Sequence, residues 1–121
     1  MRELAGLQVL VVDDEALVRF MVADIFEHAG CAVEEATDGE QALGALGGRQ
    51  GFDLLVTDIR MPRLDGWSLA ERARALHPEL PVLYVTGYSD VAMRPVPGSL
   101  VVAKPFDPAA LVDAAAKLIR S

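Results

Sequence analysis

The sequence predicts an α/β domain built on a doubly wound, five-stranded parallel sheet with helices on both faces, the fourth helix short or degenerate. Three observations predict it. Short, almost unbroken apolar runs, as expected of strands covered on both faces, alternate with helical patterns from end to end. The length of 121 residues suits one domain, 1–121, with room for about five strand–helix units. No repeat, low-complexity tract or linker interrupts the alternation.

Leu7–Val12 is the first strand. Leu17, Val18, Met21, Val22, Ile25, Phe26 and Ala29 then recur at three- and four-residue steps, which predicts a helix with one buried stripe, Phe20 being counted with the core. Gly30 ends it as a left-handed stop. Cys31–Ala36 is a second, more polar strand, placed at the sheet edge, with Cys31 packing as a small hydrophobe. Asp38 and Gln41 resemble a capping box opening a short helix through Leu43 and Leu46, stopped by Gly47 and Gly48. Asp53–Ile59 is the third strand. Asp65-Gly66 leads into a helix whose stripe is Leu69, Ala73 and Leu76, closed by His77-Pro78, with Trp67 at its start expected to be partly exposed. Pro81–Thr86 and Leu100–Ala103 are the fourth and fifth strands. Between them Tyr88–Ser99 carries Pro95, Pro97 and Gly98, so a full helix does not fit. Asp107 as N-cap and Pro108 at the first helical position start the last helix, which runs toward Arg120. Lys117 and Arg120 in its last turn complement the helix dipole.

Composition narrows the function. Eleven Lys and Arg against 18 Asp and Glu give a net charge of −7, which repels phosphate backbones and anionic lipid, so neither nucleic acid nor a membrane is an expected partner. A single cysteine excludes an internal disulfide framework and favours the reducing cytosol. No apolar run approaches the ~20 residues of a membrane span, and Met1-Arg2-Glu3 lacks a signal peptide's apolar stretch. A cytoplasmic monomer or weak dimer is expected.

In an open α/β sheet the site lies beyond the carboxyl ends of the strands, where strand order reverses. Those ends carry Asp13-Asp14-Glu15, Asp58, Thr86 and Lys104. Glu15 reads as a helix cap. If the first and third strands are neighbours, Asp13, Asp14 and Asp58 converge, and crowded carboxylates raise one another's pKa unless a cation holds them. Hard oxygen ligands of this kind suit Mg²⁺, or Mn²⁺. A carboxylate can act as a nucleophile toward phosphorus, with Lys104 and the Thr86 hydroxyl neutralising oxygens of the transferring group. Ionised Asp58 already carries its nucleophilic oxygen, so no general base is needed. His28 and His77 lie at helix ends, away from this set.

The whole chain resembles a response-regulator receiver domain, the phospho-acceptor module of two-component signalling. The resemblance rests on Val9-Leu10-Val11-Val12-Asp13-Asp14-Glu15, on Thr57-Asp58-Ile59-Arg60-Met61-Pro62-Arg63-Leu64-Asp65-Gly66, on Pro81-Val82-Leu83-Tyr84-Val85-Thr86-Gly87-Tyr88, and on Ala103-Lys104-Pro105-Phe106. It implies the flavodoxin-like strand order 2-1-3-4-5, with Asp58 as the phosphorylated residue. Asp13 and Asp14 would serve the metal, together with Asp58 and the backbone carbonyl of Arg60. Thr86 would be the switch hydroxyl and Lys104 the phosphate-contacting lysine, with a cis Lys104-Pro105 bond. The implied partners are a histidine kinase or a histidine phosphotransfer protein, and a downstream protein that the sequence does not name. Catalysis would be limited to self-catalysed phosphotransfer and autodephosphorylation. The Met1 start favours a stand-alone protein over a receiver excised from a hybrid histidine kinase.

Two departures from the family pattern bear on output. Receivers usually carry Tyr or Phe three residues before the lysine, where this chain has Val101, and Tyr84 is the nearest aromatic on a neighbouring strand. Thr86 and Lys104 are only 18 positions apart, about a helical turn fewer than the pattern implies. The expected response to phosphorylation is therefore reordering of Gly87–Ser99, with Tyr84 or Tyr88 as the moving aromatic. Arg60 and Tyr88 flank the opening and are expected to shield the phosphoryl group from water. Among rival readings, a flavodoxin-like cofactor binder fails because Asp13-Asp14-Glu15 would repel phosphate. A phosphatase of the haloacid-dehalogenase type needs a second aspartate where Arg60 stands. A pseudo-receiver would have lost acidic or lysine positions that are all present.

Overall fold

The computed structural model describes residues 3–48, 51–87 and 93–120. Its elements in chain order are β1 (Gln8–Val12), α1 (Ala16–His28), β2 (Ala32–Ala36), α2 (Gly39–Gly48), β3 (Leu54–Thr57), α3 (Gly66–Leu76), β4 (Val82–Thr86), β5 (Leu100–Ala103) and α4 (Pro108–Arg120). The strands form one parallel sheet in the order β2-β1-β3-β4-β5. Strand order reverses between β1 and β3, the point at which an open parallel sheet leaves a crevice.

The register sets what meets there. Val12 pairs with Thr57 and with Ala36, so Asp13 and Asp58, each one residue past its strand, emerge side by side. Thr86 pairs with Ala103, which puts Lys104 one step beyond the Thr86 level.

Both faces of the sheet are covered, as the apolar strands require. Leu10, Val12, Leu55 and Tyr84 face α2 and α3 and pack with Leu46, Trp67 and Leu69. Val9, Val11, Leu54, Val56 and Val85 face α1 and α4, among Phe26, Leu111 and Leu118. Each fully buried side chain of this size contributes about 1.5–3 kcal/mol. β2 is more polar than the inner strands, with Glu34 and Glu35 in its middle, and lies at the sheet edge as its composition predicts.

Several local expectations need correction. The buried residues of α1 are Arg19, Val22, Ala23 and Phe26, whereas Leu17, Phe20 and Met21 are exposed. The stripe is rotated because Arg19 turns inward, and α1 carries more apolar residues than one face holds. Leu76 is exposed and Trp67 is buried. Glu15 stands at the N-cap of α1 without a side-chain capping bond; Asp13 accepts the Glu15 N–H instead. Gly47 and Gly48 are the last two residues of α2, inside the helix rather than after it. In the capping pattern before α2, Asp38 accepts from the Gln41 N–H, while Gln41 reaches back to the N–H of Thr37. The positive φ of Gly30, at 96°, follows the sequence reading, and the structure adds a cap of α3 in which Asp65 accepts from the Ser68 N–H.

Of the β4–β5 crossover, Tyr88 and residues 89–92 lie outside the described residues. Among the rest of that crossover no residue is helical. Among the described residues of the chain, no helix is long and apolar enough to cross a membrane.

Candidate functional site

The acidic residues that end β1 and β3 are fixed by backbone bonds to neighbouring strands. The Asp13 N–H donates to the Ala36 carbonyl (3.2 Å), and the Asp58 N–H to the Val12 carbonyl (3.0 Å). Asp13 Oδ1 accepts from the Glu15 N–H at 2.9 Å, and Asp58 Oδ1 from the Ile59 N–H at 2.7 Å. Both residues are buried, their side chains 5% and 3% exposed, so water does little to stabilise their charge. Asp14 is exposed beside them, and one oxygen from each of Asp13, Asp14 and Asp58 lies within 4.8 Å of the others.

Lys104 closes the site from the β5 side. Its Nζ stands 3.2 Å from Asp58 Oδ2 and 3.5 Å from Asp13 Oδ2, and its N–H donates to the Thr86 carbonyl at 2.8 Å. The Lys104-Pro105 peptide is cis. Thr86 is buried at the end of β4, while Arg60, two residues past Asp58, is exposed. The positions picked from sequence as strand-end chemistry therefore gather at one end of β1, β3 and β5.

Burial raises the pKa of Asp13 above its ordinary value, and the charge of Asp58 adds to that; the Glu15 N–H and Lys104 oppose it. Burial likewise raises Asp58, against the Ile59 N–H and Lys104. Burial alone would lower the Lys104 pKa, but Asp58 and Asp13 outweigh it and the net direction is up. Asp13 and Asp58 share the Lys104 ammonium, and Asp14 brings a third carboxylate to them. Oxygen donors this close together are the set a hard divalent cation takes, so Mg²⁺ fits the residues present, and Mn²⁺ suits the same donors.

One feature escaped the sequence reading. Arg19 donates through Nη1 to the Asp13 carbonyl at 2.9 Å and through Nε to Glu35 at 3.0 Å. A lone cation three, four and seven residues before Val22, Ala23 and Phe26 was the available signal. Tyr84, paired in register with Val101, is completely buried, and its hydroxyl accepts from the Val96 N–H at 3.2 Å. Its ring lies 4.6 Å from that of Trp67, whose Nε1 is buried without a hydrogen-bond partner among the described residues.

Comparison with known proteins agrees with this geometry. The family model for the response regulator receiver domain matches residues 9–116. The chain belongs to the response-regulator receiver domain family. This receiver is 36% identical over 114 residues to the response regulator receiver protein CpdR of Brucella abortus, covering 91% of this chain and 93% of that one. It is 35% identical to the response regulator protein FleR of Pseudomonas aeruginosa, of which it spans only 24%. A crystal structure of a response regulator receiver protein from Sinorhizobium medicae superposes with a TM-score of 0.90 at 32% identity, covering 96% of each chain. Receiver domains are signalling modules of two-component systems, and this chain shares their fold and strand order.

Proposed function

We propose that this receiver accepts a phosphoryl group on Asp58 from the phosphohistidine of a histidine kinase or histidine phosphotransfer protein. The observation that carries the reading is the Asp58 carboxylate itself: buried at the end of β3, held by the Ile59 N–H and Lys104, and grouped with Asp13 and Asp14. An Asp58 carboxylate oxygen attacks phosphorus, forming a P–O bond as the donor's P–N bond breaks and the leaving imidazole keeps the electron pair. Lys104 offsets negative charge on the transferring oxygens, and the Thr86 hydroxyl donates to one of them. Asp13, Asp14, Asp58 and the Arg60 carbonyl would hold Mg²⁺ or Mn²⁺, which when bound supplies the remaining charge neutralisation. Loss of the group by hydrolysis restores the free carboxylate, and no other reaction is assigned to the domain.

Phosphorylation adds about −1.5 to −2 charge near Thr86. Val101, branched and short, has no ring to swing inward. The response is assigned to the crossover, whose Val96 is tied to the buried Tyr84 two residues before Thr86. Tyr84 acts there as the joint between β4 and the crossover. Arg60, two residues past Asp58 and exposed, is assigned to shielding the phosphoryl group from water.

Treatment with acetyl phosphate and Mg²⁺ tests the acceptor. Intact mass should rise by one phosphoryl group in the wild type and not in Asp58→Asn or with chelator present. Equal labelling of Asp58→Asn would refute the assignment. Asp14→Ala should label weakly and recover in part with excess Mg²⁺.

A further inference from the structure

Arg19 sits on the core-facing stripe of α1 with Val22, Ala23 and Phe26 and is only 9% exposed. A cation so placed must be paired, and its partners are informative. Nη1 reaches the Asp13 main-chain carbonyl, Nε reaches Glu35, and the guanidinium carbon lies 5.2 Å from the centroid of the Phe20 ring. Glu35 immediately precedes Ala36, whose carbonyl accepts the Asp13 N–H. The end of β2 thus grips the backbone of Asp13 twice, directly at its N–H and through Arg19 at its carbonyl. With Oδ1 bound by Glu15 and Oδ2 facing Lys104, every polar atom of Asp13 has a fixed partner.

We propose that Arg19 is a positioning residue for the acidic site: through the Asp13 carbonyl and Glu35 it fixes where the Asp13 and Asp14 carboxylates stand relative to Asp58. The inference rests on the reading of these carboxylates as a divalent-cation site. Electrostatics and positioning predict opposite signs. Removing a nearby positive charge strengthens cation binding if charge alone matters, whereas releasing a brace weakens it. Lysine keeps the charge but lacks the planar fork that serves two acceptors at once, so it does not restore the brace.

The experiment is titration of the unphosphorylated protein with Mg²⁺, followed by calorimetry, with a melting temperature measured for each variant. Arg19→Met and Arg19→Lys should each weaken Mg²⁺ binding about tenfold, the scale seen when partners that orient metal ligands are lost. Val22→Ala, on the same stripe but away from Asp13, should lower the melting temperature and leave the Mg²⁺ affinity unchanged. If Arg19→Met does not fold, Arg19→Lys carries the test, since charge alone predicts no change there. Unchanged or tighter binding in the Arg19 variant, or an equal loss in Val22→Ala, overturns the inference while leaving the acidic site standing. Absence of Mg²⁺ binding in the wild type overturns the site itself, and the inference with it.

Discussion

The two sides of the sheet's carboxyl end are built differently. On the β1–β3 side, Asp13 and Asp58 are each held by a backbone bond to an adjacent strand and a second bond to the side chain. On the β4–β5 side, the described part of the crossover carries no helix, and its ties include the Tyr84–Val96 bond, the Val96–Ser99 turn and contacts from Arg94 to α3. Chemistry that needs carboxylates at fixed spacing sits where the backbone is over-determined. On the proposed function, the segment that answers added charge is this crossover, which has no helix among its described residues. On that reading, one domain separates a rigid acceptor from a responsive exit.

The largest test of that contrast is Gly66→Ala. Gly66 opens α3, and its N–H donates to the Ile59 carbonyl at 2.7 Å. A Cβ at this position would collide with the Asp58 carbonyl oxygen and lie 2.9 Å from Ile59 Cα, both backbone atoms that cannot rotate away. Relief requires moving the β3 end and Asp58 with it. The variant should lose more than about 3 kcal/mol of stability, and phosphorylation by acetyl phosphate should fall with it. Thermal unfolding within roughly 2 °C of the wild type, far less than that loss implies, would show that the acceptor side yields more easily than its contacts suggest.

Tyr84→Phe addresses the other side with a middling effect. It removes the acceptor of the Val96 N–H, and a buried donor left unpaired costs about 1–3 kcal/mol. Amide exchange should quicken at Val96 and Ser99 and stay unchanged at Asp13 and Asp58. Equal quickening on both sides would mean that the two regions open together, and the contrast would fail.

What could be read from sequence follows the same division. Asp13, Asp58 and Lys104 were legible because each directly follows an apolar strand, and a parallel sheet leaves such residues nowhere to go but its carboxyl end. The inward turn of Arg19 was not legible. Apolar spacing offered Leu17 and Met21 for the buried face of α1, and hydropathy does not register that a backbone carbonyl at Asp13 takes a donor from this helix. Trp67 was misjudged for a related reason: its place at the start of the helix suggested partial exposure, yet the ring packs against Tyr84 and Leu64 belongs to the same cluster. The crossover was legible only in what it lacks, since Pro95, Pro97 and Gly98 forbid a full helix without specifying what replaces it.

The smallest expected effect separates conformational cost from steric cost. Gly98 lies in the crossover at φ +76°, and a Cβ there would meet no atom within 4 Å, unlike one at Gly66. The Ser99 N–H and Oγ both donate to the Val96 carbonyl, at 3.3 and 2.6 Å, so Val96-Pro97-Gly98-Ser99 closes as a turn of the kind that places glycine third. With space available, Gly98→Ala should cost only the left-handed backbone penalty, about 1 kcal/mol. That is a fall of roughly 3–6 °C in melting temperature for a domain of this size. Asparagine tolerates the left-handed region better than alanine, so Gly98→Asn should lose less. Labelling of Asp58 by acetyl phosphate should be unaltered in both, since the turn lies away from the β1–β3 brace. If Ala and Asn cost the same, backbone conformation is not what glycine supplies here. If either variant slows labelling of Asp58, the crossover and the acceptor are coupled in the resting protein, and the separation of rigid site from responsive exit does not hold.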